Sequence, residues 1–91
     1  MSKIDITHAH ALPAEAVRTA VEAMAAKLTE KYGVTANWVG DALSFNGSGV
    51  DGLIELLPGN VHVVADLGFP VSMMKGMVED QIRNALREKL G

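Results

Sequence analysis

Residues 35–67 read TANWVGDALSFNGSGVDGLIELLPGNVHVVADL, and this stretch decides the fold. It contains four runs, Thr35–Val39, Ala42–Asn46, Gly49–Leu57 and Asn60–Leu67, separated by Gly40-Asp41, Gly47-Ser48 and Pro58-Gly59. Each separator is a pair of turn-forming residues, so the spacing predicts consecutive antiparallel hairpins. Pairing the strands through these turns sets Trp38 opposite Leu43 and Ala36 opposite Phe45. The second turn sets Phe45 opposite Val50 and Leu43 opposite Gly52. The third sets Leu56 opposite Val61, Ile54 opposite Val63, Gly52 opposite Ala65 and Val50 opposite Leu67. All these pairs fall on one face, an agreement that a one-residue slip would destroy. Pro58-Gly59 favours a type II turn and calls for a wider loop than the other two.

Upstream, Lys3 to His10 alternates, with Ile4, Ile6, His8 and His10 on one side, which predicts a strand with one buried face. Pro13 then suits the first position of a helix, with Glu15 in its first turn. Val17, Ala20, Val21, Met24, Leu28 and Tyr32 recur at helical spacing, and Gly33 supplies a left-handed stop. Arg18 and Glu22 form a solvated pair on the opposite side. Downstream, Gly68-Phe69-Pro70 breaks the sheet, and Val71, Met74, Val78, Ile82, Ala85, Leu86 and Leu90 form a second helical stripe. Gly76 within it marks a kink or the true start of the long helix. The order β-α-β-β-β-β-α predicts an α+β two-layer sandwich, an antiparallel sheet of about five strands with both helices on one face. Alternation alone leaves open which edge the first strand joins.

The chain has 91 residues, a single domain (1–91) whose core is small, so a second subunit is the expected source of extra stability. Cysteine is absent, which removes disulfides and thiolate ligands and fits a reducing cytoplasm. Net charge is −3 with no basic stripe, which argues against nucleic acid. Charge appears at Lys3, before any apolar run, so the start does not read as a signal peptide. No window approaches a membrane span.

Residues that could carry chemistry do not assemble into a catalytic set. His8 and His10 share a side, while His62 points to the outer face opposite Glu55, so no metal and no other cofactor are expected. The register puts Asp51 opposite Asp66, with Ser44 beside Asp51. Like charges across a ladder are destabilising unless they do acid–base work, hold a cation or are neutralised by a lysine such as Lys3. The ordinary reading, a neutralised surface pair, outweighs the functional one because no other catalytic group accompanies it. Ser48 and Ser72 lack the context of a nucleophile elbow, and Gly47-Ser48-Gly49 lacks the lysine and helix of a phosphate loop.

Apolar features are the better candidates. On the outer face Leu53, Leu57 and Val64 stand among polar residues, with Ala42, Leu53 and Val64 in one row; this face around Leu53 and Val64, or a sheet edge, is the surface expected for a homodimer. Phe69, Val71, Met73, Met74 and Met77 are too many for one buried stripe, so Phe69, Met73 and Met77 are candidates for an adaptable contact surface. Core packing is the competing reading for the methionines. On the inner face, Gly52 and Ala65 leave a gap beside Trp38, filled by a close helix or open as a small apolar cavity.

Ile4-Asp5-Ile6, Leu12-Pro13, Ser48-Gly49-Val50-Asp51-Gly52, Leu67-Gly68-Phe69 and Ser72-Met73-Met74-Lys75-Gly76 occur in this order along nearly the whole chain. Together they resemble the putative polyhydroxyalkanoic acid system protein family, short bacterial proteins of this length. The resemblance implies polyhydroxyalkanoate biosynthesis or granule association and carries over no catalytic residue. The family pattern often has proline after the glycine equivalent to Gly76. Met77 stands there instead, which favours a continuous helix. The leading expectation is a non-enzymatic accessory protein contacting a polyhydroxyalkanoate granule or a biosynthesis protein. The alternative is a binder of a small acyl-type ligand, with a cavity between the sheet and the C-terminal helix.

Overall fold

Alternation of apolar and polar residues commits the chain to a sheet with one dry face, and five strands build it. The computed structural model describes residues 2–47 and 49–91. Its elements are β1 (Ser2–Ala9), α1 (Ala14–Tyr32), β2 (Thr35–Val39), β3 (Ala42–Gly47), β4 (Val50–Leu57), β5 (Asn60–Leu67), a 3-10 helix (Val71–Met74) and α2 (Lys75–Leu90). The sheet is antiparallel throughout, in the order β1-β5-β4-β3-β2. β1 takes the edge beside β5, so Ile4 lies opposite Ala65 and Ile6 opposite Val63. β1 ends at Ala9, which leaves His10 just outside the strand that alternation predicts for it.

Both helices cover the inner face, giving the α+β sandwich. Ile4, Ile6, Leu43, Ile54, Val61 and Val63 from the sheet pack against Val17, Val21 and Met24 of α1 and Val78, Leu86 and Leu90 of α2, all buried. Burying each large side chain contributes about 1.5–3 kcal/mol, which makes this face the main source of stability. Gly33 ends α1 as expected, its N–H donating to Thr29 O at 2.9 Å.

Register follows the predicted pairing in two hairpins and departs from it in one. Trp38–Leu43, Ala36–Phe45 and all four predicted β4–β5 pairs are present. The third turn needs no wider loop: Leu57 pairs with Asn60 across two residues, with Gly59 at φ 78°, the left-handed value that the second turn position of a type II turn requires. Between β3 and β4, however, Gly47 pairs with Val50, so Phe45 faces Gly52 and Leu43 faces Ile54. Gly47 is therefore the last residue of β3 rather than the first of the turn, and Ser48, the other residue of the expected turn, lies outside the described residues. A slip of two residues keeps every side chain on its face, so the facing pattern could not detect it.

This shift closes the gap expected beside Trp38. The Phe45 ring lies over Gly52, where an added Cβ would stand 2.6 Å from Phe45 Cζ and 2.5 Å from Val64 O. Close approach of an aromatic ring and a backbone carbonyl is why this strand position has no side chain.

The second helical stripe is also interrupted. Residues 71–74 wind as a 3-10 helix and α2 starts at Lys75, so Gly76 marks the start of the long helix rather than a point inside a continuous one. Met74 is 45% exposed and is not a core residue. Val71 takes the core-facing position alone in that turn.

Candidate functional site

The outer sheet face gathers the titratable residues. His62 Nε2 lies 2.7 Å from Asp5 Oδ1, and Nδ1 lies 3.1 Å from Glu55 Oε1. The Asp5 and Glu55 carboxylates, in that order of effect, raise the His62 pKa above its usual value near 6.5. Both ring nitrogens face carboxylates, an arrangement that favours the protonated form of the ring. Asp51 does face Asp66, and Lys3 is the next residue across from Asp66. Asn46, not Ser44, stands opposite Asp51. Among the described residues no cluster of three His, Cys, Asp or Glu side chains could hold a metal ion.

His8 and His10 are half-buried at the rim of the core. His8 Nε2 lies 3.0 Å from Gly91 O, and His10 Nδ1 accepts from the Leu12 N–H at 3.1 Å.

The apolar candidates separate into three environments. Trp38 lies on the β2 edge against α1, with the Arg18 guanidinium 3.9 Å from its ring centroid and Nε1 donating to Glu22 Oε2 at 3.2 Å. The solvated Arg18–Glu22 pair expected from the sequence is not among the ion pairs of the described residues: Arg18 covers the indole face and Glu22 accepts from its edge. Leu53 and Val64 are direct partners on the outer face and half-buried, flanked by Ser44 and Asp5. Ala42 does not join their row; it faces Glu55.

The segment after β5 differs from both. Phe69 is 80% exposed, Met73 75% and Met77 59%. The segment is nonetheless held: Gly68 N–H donates to Gly49 O at 2.8 Å, and Ser72 N–H to Gly68 O at 3.0 Å. Val71 anchors it to the core. Four large apolar side chains, counting Met74, therefore project from an anchored segment of residues 69–77.

Two spaces bear on ligand binding. Between the sheet and α2 an apolar cavity of about 20 Å³ is lined by Phe45, Ala65 and Val71 among others, room for about one water and not for an acyl chain. Between α1 and α2 a larger open groove of about 290 Å³ has Met24, Leu28, Ile82 and Ala85 along it and Lys27, Lys31 and Lys89 at its rim. A hydrogen bond from Tyr32 Oη to Gln81 Oε1 at 2.6 Å bridges the two helices. A further depression of about 440 Å³ lies between the start of α1 and the Pro58-Gly59 turn, lined by Arg18, Glu15 and Asp41 among others.

A family model described as putative polyhydroxyalkanoic acid system protein matches residues 4–90. The chain belongs to that family. No curated protein and no solved structure matches it. In this polyhydroxyalkanoic acid system chain, two of the stretches that carry the resemblance meet at the exposed segment. The Gly49–Gly68 hydrogen bond joins the β3–β4 turn to Leu67-Gly68-Phe69. The next stretch, residues 72–76, supplies Met73 and Met74, two of the four projecting side chains. Among the described residues no helix is long and apolar enough to cross a membrane.

Two features of the surface are not readable from the sequence pattern. Asp5 as the second partner of His62 required knowing that β1 pairs with β5. The inter-helix groove was hidden because Met24, Leu28 and Ile82 read as core stripe. The available signal was Lys27 and Lys31, one turn apart beside Met24 and Leu28.

Proposed function

We propose that this protein is a non-enzymatic accessory factor of polyhydroxyalkanoate metabolism, acting in the cytoplasm by docking segment 69–77 on the polyester surface of the granule. The observation that carries the reading is the exposure of Phe69, Met73 and Met77 on an anchored segment. Methionine supplies apolar area without strict shape demands, which suits a disordered polymer surface better than a shaped pocket. Membership of a polyhydroxyalkanoic acid system family supports this choice of partner. Co-sedimentation with amorphous polyhydroxybutyrate particles tests this. The wild type should pellet with the particles, and the variant Phe69→Ser, Met73→Ser, Met77→Ser should stay in the supernatant. A wild type that stays in the supernatant sinks the proposal.

The same reading includes a homodimer through the outer face. Its support is the half-buried Leu53–Val64 pair and a core that is small for an isolated chain. Sedimentation velocity should show a species of twice the chain mass that Leu53→Lys halves. A wild-type monomer at high micromolar concentration removes this part of the proposal.

A further inference from the structure

The groove between α1 and α2 is chemically unlike the rest of the surface. The chain carries eight Lys and Arg against eleven Asp and Glu, yet the groove is lined by three of the former, Lys27, Lys31 and Lys89, and by one of the latter, Glu88. Among the described residues none of these lysines is in an ion pair, although Lys31 Nζ lies 5.7 Å from the Tyr32 ring centroid. Below the rim, Leu28, Ile82 and Ala85 are only partly buried, so the two helices leave apolar floor open to solvent.

Size limits the occupant. An α-helix with side chains is about 10–12 Å across, so the groove's roughly 290 Å³ would seat only a few side chains of one helix face. That volume sits at the lower end of small-molecule sites. A narrow apolar floor calls for a narrow apolar chain, and a lysine rim calls for a negative head. We infer that the α1–α2 groove binds a linear acyl chain ending in a carboxylate, the chain along Met24, Leu28, Ile82 and Ala85 and the head at Lys27 and Lys89. Lys31 is directed towards Tyr32 and contributes to the field rather than to direct contact. Leu28, Tyr32, Val78 and Ile82 line both the groove and the small cavity beneath it, so they form the wall between the two. The site is separate from segment 69–77.

Titration of the full chain with decanoate, followed by amide NMR, tests the inference, with decanol and decyltrimethylammonium as uncharged and cationic chains of equal length. Decanoate should bind saturably at one per chain and shift the signals of Leu28, Ile82 and Ala85, with the cationic chain much weaker. Lys27→Ala with Lys89→Ala should weaken decanoate roughly fivefold, as expected for exposed ion pairs, and leave decanol unchanged. Ala85→Trp should fill the groove and abolish binding of both. Met73→Ser with Met77→Ser should change none of this, which separates the groove from the proposed docking segment. Absence of saturation, equal binding of anionic and cationic chains, or shifts confined to other regions would overturn the inference. So would ligand-free groove signals that move with protein concentration, since a second copy would then cover the site. The lysine substitutions are on exposed residues, so the test survives if Ala85→Trp fails to fold.

Discussion

The β4–β5 hairpin and segment 69–77 are both rich in large apolar residues, yet one forms the centre of the core and the other projects into solvent. In the hairpin, Ile54, Val61, Val63 and Leu67 fall on one side of the period-two alternation, and the ladder aims all of them at the two helices. In the segment, apolar residues follow one another without strand alternation, and the 3-10 turn spreads them around its axis. One turn can aim only Val71 inward. Hydrophobicity alone therefore does not place a residue; the backbone period decides which side chains share a face. An apolar excess that the period cannot bury is a surface feature.

The largest expected difference between the regions is in tolerance to volume. Gly52→Ala places a methyl group against Val64 O and the Phe45 ring, and the carbonyl cannot yield without moving β5. The cost should be about 1–3 kcal/mol by denaturant unfolding, as for overpacked cores. Gly76→Ala has open space around it at the start of α2 and should be neutral or slightly stabilising. Equal tolerance at the two glycines would erase the contrast.

A smaller effect sharpens the contrast on the outer face of the same hairpin. Because Asp5 and Glu55 raise the His62 pKa in the folded state, their contribution is fully present below about pH 6.5 and is lost as pH rises through the folded value. The stability difference between wild type and His62→Gln should therefore be greater at pH 5.5 than at pH 8.5. An NMR titration of His62 should show a midpoint above that of an unfolded peptide. A midpoint at or below the peptide value would show that the two carboxylates do not act on the ring in solution.

How much was legible follows the same division. Two-residue turns and period-two alternation determined five strands, their facing and all four predicted β4–β5 pairs, because a wrong parity would have exposed the core. Parity cannot see a two-residue slip, and so the β3–β4 register, the filling of the Gly52 gap by Phe45 and the true neighbours of Leu53 were not readable. The β1–β5 pairing depends on how α1 crosses the sheet, which local pattern does not encode, and with it went Asp5 as a partner of His62. Phe69, Met73 and Met77 were legible as an excess over one stripe. Met74 was not, since helical spacing assigns it inward and only the 3-10 winding turns it out. The inter-helix groove depends on how far α1 and α2 stand apart, a distance that neither stripe specifies.

Whether the apolar excess of segment 69–77 is a contact surface, as proposed, or unfinished core is decided by one paired measurement. The variant Met73→Ser with Met77→Ser is compared with wild type for melting temperature and for adsorption to polyhydroxybutyrate particles over a concentration series. A contact surface requires a stability change within about 0.5 kcal/mol, as for exposed positions, together with a clear loss of adsorption. A destabilisation of about 2–5 kcal/mol, the cost of truncating buried methionine, would contradict it, as would unchanged adsorption by a variant that folds normally.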